Sequence, residues 1–217
     1  LVMIGITIAI VLNLFYDYEG QRQDLIRYMR ETENQLQILL CELAAYLHNK
    51  DMEINVWDRI IAFEGRMHEF IKAAYDYQDN TFHSHPGYYI DYFEMRLAQL
   101  QVLHNLHYEI KKIRKMPKQA LVIADYIMYM TDYVVEMNIP DQQIEKLEEI
   151  SEQMKQEELP KTREEFEGRA LLYHILMDLE EFLVYKKRFV NGLDEKKLRI
   201  YWKQEMEQND SANELQK

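Results

Sequence analysis

From Leu25 to Leu183 the apolar residues of this chain recur at spacings of three and four, the period of an α-helix buried along one face. Leu25, Met29, Thr32, Leu36, Leu40, Leu43 and Leu47 form the first stripe and predict a helix to about His48. The turn HNKDMEIN ends in Asn55, which suits the N-cap of a second helix carrying Val56, Ile60, Phe63, Met67, Phe70, Ala74 and Tyr77. Turn residues DNTFHSHPG lead to a third, with Ile90, Phe93, Leu97, Leu100, Leu103, Leu106, Ile110 and Ile113 inward, reaching about Lys115. A fourth follows Pro117 with Ala120, Ile123, Ile127, Met130, Val134 and Met137, and is expected to run to Pro140. Residues 141–157 read as a short acidic helix on the outside, its stripe thinned to Ile144, Leu147, Ile150 and Met154. Thr162 to Glu165 is a capping box that opens a last long helix, apolar over a wide arc from Phe166 to Leu183 and stopping at Asn191-Gly192. Six Gly and four Pro in 217 residues are too few breakers for an all-β fold. The expected fold is all-α, an antiparallel up-and-down bundle of five to six long helices.

The opening segment departs from this pattern. Leu1 to Phe15 carries no charge and is apolar on every side, so it reads as the C-terminal end of a transmembrane helix, of which a full span takes roughly 20 residues. Phe15, Tyr16 and Tyr18 then fall where an aromatic belt meets headgroups, and Arg22, Arg27 and Arg30 follow as the positive-inside rule expects of a cytoplasmic end. A signal peptide would have a basic start and a small-residue cleavage site, which are missing; a buried core helix is the competing reading. The expected organisation is membrane helix over residues 1–16, cytoplasmic bundle over 17–193 with its first helix continuing from the span and Gly20 as the bend, and a tail over 194–217 that is helical at first and then frays.

Chemistry is hard to find. A net charge of −12 argues against nucleic acid as a partner, and a single cysteine, Cys41, rules out an intramolecular disulfide. No histidine has a glutamate three residues before it, so the pairs that build carboxylate-bridged di-metal sites in helical bundles are missing. His104 with His107, and Glu64 with His68, supply two ligands each where a site needs three or four. The glycines are isolated and the two serines, Ser84 and Ser151, have no catalytic partners in sequence, so neither a phosphate cradle nor a hydrolase is expected. No enzyme activity, metal or cofactor is predicted. Lys111, Lys112, Arg114, Lys115 and Lys118, with Lys186, Lys187 and Arg188, either face anionic headgroups or are solvated helix ends. Sixteen tyrosines are the most unusual feature. They read first as packing residues; alternatively Tyr88 and Tyr92 line a cleft for a flat aromatic carboxylate held by Arg96 or Arg169, unless those arginines pair with Glu94 or Glu167 and their neighbours.

Three stretches, IGITIAIVLNLF, YYIDYFEMRLAQLQVL and TREEFEGRALLYHILMDLEEFLVYKKRF, together resemble the C-terminal cytoplasmic domain of bacterial aromatic acid exporters, a group related to fusaric-acid-resistance-type membrane proteins. The likeness runs from the apolar segment to about Val190, with Phe-Glu-Met-Arg and Glu-Phe-Glu-Gly-Arg-Ala its most specific parts. It implies a cell-membrane efflux transporter, with this bundle in the cytoplasm serving assembly or gating of the transport domain and forming a homo-oligomer. The alternative is a membrane-tethered helical module that senses a small aromatic carboxylate or binds another protein.

Overall fold

The computed structural model describes residues 18–49, 55–81 and 86–193, together with Gly5. The expected membrane segment and the tail after Leu193 lie outside the described residues. Among the described residues there are six helices and no strand: α1 Tyr18–His48, α2 Val56–Asn80, α3 Gly87–Lys112, α4 Ala120–Thr131, α5 Asp141–Lys155 and α6 Arg163–Gly192. None of them is long and apolar enough to cross a membrane.

The stripes seen in the sequence decide who packs on whom. α1 lies against α2 and α4 and touches α3, while α3 lies against α2 and α6; α5 leans mainly on α6. Three neighbours need more than one stripe, and α1 accordingly buries Leu39 and Ala44 besides the heptad positions Leu36, Leu40, Leu43 and Leu47. α2 touches fewer elements and buries the seven residues of its single stripe, Val56 to Tyr77. α5 covers the outside with Leu147, Ile150 and Met154, as an acidic helix with a thin apolar face must.

The caps follow the local chemistry. Asn55 Oδ1 accepts from the Asp58 amide at 3.3 Å, and Thr162 Oγ1 accepts from the Glu165 amide at 3.1 Å. Glu165 in turn accepts from the Lys161 amide at 2.9 Å, so the capping box closes one residue further out than its usual form.

Two elements differ from the sequence expectation. α4 stops at Thr131 instead of running to Pro140. Thr131 Oγ1 bonds back to the Ile127 carbonyl at 2.7 Å, the amides of Tyr133 and Val134 take carbonyls three residues back, and Val134-Val135 offers poor helix formers to continue it. The unwound stretch brings Glu136 into the core. Phe166, assigned to the inward arc of the last helix, is 62% exposed. The two basic clusters are also separated: Lys115 and Pro117 lie against Gly168 near the start of α6, and the helix rises about 27 Å before it reaches Lys186.

Gly168 marks the tightest approach. A Cβ there would meet Pro117 Cγ at 2.9 Å and the Lys115 carbonyl oxygen at 3.3 Å, whereas one on exposed Gly65 would meet nothing within 4 Å. The α3–α6 seam also holds Asp178, whose Oδ2 is buried without a hydrogen-bond partner. Burial, then the charges of Glu109 and Glu181, push its carboxyl up from 3.8 to about 6.

Glycine costs a helix roughly 1 kcal/mol relative to alanine, so Gly65→Ala should raise the thermal midpoint, while Gly168→Ala should lower it despite the same propensity gain. A carboxyl raised in the folded state stabilises below its ordinary pKa and loses that contribution as pH rises through the folded value. Asp178→Asn should therefore raise the midpoint at pH 7.5 and leave it unchanged below about pH 4, read by circular dichroism melts across that range.

Candidate functional site

Polar side chains enter the core of the bundle at one level. α1 supplies Glu33, which falls four residues after Met29 and three before Leu36 and so shares their inward face. α3 supplies Tyr88, Tyr92, Arg96 and Gln99, spaced by four, four and three along one face. The α4–α5 connection supplies Glu136, and α6 supplies Lys186. Arg30 closes the edge, its side chain 42% exposed.

Glu33 is the hub. Its Oε1 accepts from the Tyr92 hydroxyl at 3.1 Å and lies 3.5 Å from Arg96 Nη2, and its Oε2 accepts from Arg30 Nη1 at 3.0 Å. Arg30 Nη2 reaches Glu136 Oε2 at 3.3 Å. The Tyr88 hydroxyl donates to the Glu136 carboxylate and the Lys186 ammonium to the Glu136 backbone oxygen. Arg96 Nη1 donates to Gln99 Oε1 at 2.9 Å, and Gln99 Nε2 donates to the Phe182 carbonyl of α6 at 2.7 Å. The guanidinium also stands 5.1 Å from the Tyr92 ring centroid, an additional attraction for the cation.

The protonation states follow. Burial raises the Tyr92 phenol well above its ordinary value, against the pull of Arg96, so it stays a donor to Glu33. Burial opposes the charge on Arg96, but Tyr92 and Glu33 outweigh it and the guanidinium is held above its usual range. Lys186 is pushed well below the usual lysine value, by burial first and by Arg96 second, with Glu136 and Glu33 only partly offsetting them. Two carboxylates thus face two obligate cations, and the third is the one that can shed its proton. What this constellation can do is tie α1 to α3, α6 and the α4–α5 connection through a charge network that works only when its geometry is intact.

The structure brings three of the four expected site residues together, Arg96, Tyr88 and Tyr92. Arg169 stands apart, since Phe182, at the network, lies about 20 Å further along α6. Arg169 pairs with an acidic neighbour of Glu167, as the ion-pair reading has it, whereas the partner of Arg96 comes from another helix. Arg96 pairs with Glu33 while Glu94 accepts from Tyr75, and Arg169 pairs with Glu165 at 2.6 Å while Glu167 accepts from Arg163. Tyr126 is buried and donates to the Gln143 carbonyl at 2.7 Å. His104 and His107 pack around Trp57 and Tyr108, and among the described residues no three His, Cys, Asp or Glu converge as a metal site. Cys41 is free and half-buried. The sequence does not single out Glu33, Gln99 or Glu136, and Lys186, expected at headgroups or as a solvated helix end, is instead buried against the Glu136 carbonyl. The available signal was a charged residue in phase with an apolar stripe, which Glu33 gave and Glu136, in a stretch read as helix, did not.

A family model described as putative aromatic acid exporter C-terminal domain matches residues 22–187. The uncharacterized protein YqjA of Bacillus subtilis (strain 168) is 26% identical over 191 residues, taking in 87% of this chain and 58% of the relative. The chain therefore spans less than two thirds of the length of this curated relative. Among solved structures, the crystal structure of a putative membrane protein from Clostridium difficile 630 covers 77% of this chain and 97% of its own, with a TM-score of 0.69 at 23% identity. That likeness establishes the all-α bundle.

Removing one partner of a buried ion pair leaves the other charge uncompensated, at roughly 3–5 kcal/mol, whereas replacing both by apolar residues is often close to neutral. Glu33→Ala should therefore lower stability by about that amount in urea titrations, and the double change Glu33→Leu with Arg96→Met should recover most of it.

Proposed function

Because this chain belongs to the family of putative aromatic acid exporter C-terminal domains, we propose that it is the cytoplasmic domain of a cell-membrane exporter and that it acts in assembly or gating of the membrane-embedded part of the same protein. The observation that carries this reading is the position of Glu33 and Arg30 on α1, the helix that follows the apolar segment Leu1 to Phe15. Both side chains are bonded across the core, Glu33 to α3 and Arg30 to Glu136, so a shift of α1 cannot occur without disturbing the other helices. A helix leaving a membrane and clamped in this way couples the two parts mechanically, and a domain built so needs no catalytic residue of its own. The longer relative leaves length for a membrane part, and homo-oligomer contacts between bundles are the natural way for it to assemble.

Sensing of an aromatic carboxylate at Arg96, Tyr88 and Tyr92 draws less support. Arg96 is 1% exposed and already engaged by Glu33 and Gln99, so an incoming carboxylate would have to displace a resident one.

The test is transport by the full-length protein reconstituted in vesicles loaded with hydroxybenzoate. Deleting the segment matching the family, or introducing Glu33→Ala, should reduce efflux or change the oligomeric state in cross-linking, with the membrane part still inserted. Unaltered efflux and unaltered oligomers on deletion of the bundle would overturn the proposal.

A further inference from the structure

α6 carries a second apolar stripe, on the side turned away from the core. Phe166, Ala170, Tyr173 and Met177 follow one another at steps of four, three and four, which sets them on one face of the helix, while Leu172, Leu179 and Val190 bury the opposite face. Phe166 is 62% exposed and Met177 63%, Ala170 is exposed and Tyr173 half-buried. Beside this stripe the segment after α5 leaves an open groove of about 230 Å³, bordered by Leu159, Phe166, Ala170 and Tyr173, and Leu159 is 86% exposed. Large apolar side chains gathered beside a concavity mark a contact surface, where single scattered ones would not.

The order of residues along the stripe points to what covers it. Arg163 stands three residues before Phe166 and Glu180 three after Met177, so the steps from Arg163 to Glu180 are three, four, three, four and three and read the same from either end. A second α6 laid antiparallel therefore matches position for position: Phe166 opposite Met177, Ala170 opposite Tyr173 and Arg163 opposite Glu180, each pair made twice about a two-fold axis. Sizes agree, since the small Ala170 meets the large Tyr173. Charges agree as well, with opposite signs at both ends of the stripe and Glu167 opposite His174 on its flank. A parallel copy would instead set Arg163 against Arg163 and Glu180 against Glu180. Glu180 is exposed, and Arg163 pairs only with Glu167 along the same exposed helix surface, with 90% of its side chain exposed, a pair weak enough to exchange. The charges around the groove are met within one copy, Lys155 by Glu152, Lys118 by Glu157, Lys161 by Glu158 and Arg169 by Glu165, and form a polar rim.

We infer that α6 is the homodimer contact of this domain, pairing antiparallel with α6 of a second copy through Phe166, Ala170, Tyr173 and Met177. Met177 of each copy enters the mouth of the other's groove beside Phe166 and Leu159, where its flexible side chain suits an irregular gap. For two copies held in one membrane the two-fold axis stands upright, so α6 lies along the membrane plane in both. The inference gives a surface and a register to the homo-oligomer proposed above; it rests on that part of the reading and not on export.

Disulfide trapping with the 217-residue chain in detergent tests the register and captures a weak pair. In a Cys41→Ser background, a chain carrying Phe166→Cys is mixed with a differently tagged chain carrying Met177→Cys. Unlike chains should cross-link roughly tenfold faster than like chains, because two copies of position 166 stand about 16 Å apart in the antiparallel pair, beyond the span of a disulfide. Adding Ala170→Arg to both chains, a change at an exposed position, should abolish the trapping. Arg163→Glu in both should slow it about tenfold, and adding Glu180→Arg should restore it. Like chains cross-linking as fast as unlike ones, trapping that survives Ala170→Arg, or no trapping at all would each overturn the α6 contact. The mass of the wild type in the same detergent separates that failure from the wider one: a dimer would leave homo-oligomer assembly standing on another surface, and a monomer would remove it too.

Discussion

A carboxylate taken out of water costs several kcal/mol unless cations and hydrogen-bond donors replace its hydration, and Glu33 sits in the middle of this core. Much of the surrounding architecture answers that requirement. Arg96 must be on the facing side of α3, Tyr92 one turn before it must point the same way, and Arg30 must reach over from the rim. Arg96 brings its own need for acceptors, which Gln99 meets and passes on to the backbone of α6 at Phe182. The chain of obligations crosses from α1 to α3 to α6, and through Arg30 and Glu136 to the connection after α4. Apolar stripes alone would let these helices slide by a turn; fixed charge pairs do not, which is the best-attested use of polar groups in helical cores.

Most of the fold was legible because its determinants are local. The stripes of α1, α2, α3 and α6 set both their lengths and their inward faces, and the caps at Asn55 and Thr162 formed where the side chains predicted. The errors came where tertiary demands outweigh local ones. Val134 and Met137 continue the heptad of α4 in sequence, yet the helix ends at Thr131 and the following turns deliver Glu136 to the network. Phe166 keeps the phase of its neighbours but stands largely exposed in the first turn of α6, on the rim of the groove beside Leu159 and Pro160. The site was half legible: the one-turn spacing of Tyr88, Tyr92 and Arg96 put them on a common face, but the partners that decide their role come from 48 to 63 residues away. Nothing in a periodicity reports which carboxylate a buried arginine will meet.

Two levels of the bundle differ in kind. Around Glu33, midway along the described part of α1, the core is charged and its polar groups are largely paired. Near the start of α6, Gly168 lets the helix approach Pro117 closely, while the loop after α5 stands off far enough to leave an open groove. A closed, interlocked level of the first kind suits transmission of a helix movement. α6 runs through both, from Arg169 in the groove to Lys186 in the network.

Native-state hydrogen exchange of the α1 amides around Glu33 tests most directly whether the charge network makes α1 one unit with the rest. In the wild type these amides should exchange only with the global opening that also frees α3 and α6. In a chain carrying both Glu33→Leu and Arg96→Met, which keeps an apolar core, α1 should open separately and at lower free energy than its neighbours. Equal protection of α1, α3 and α6 in both proteins would mean that packing alone unites the helices, and would contradict the account.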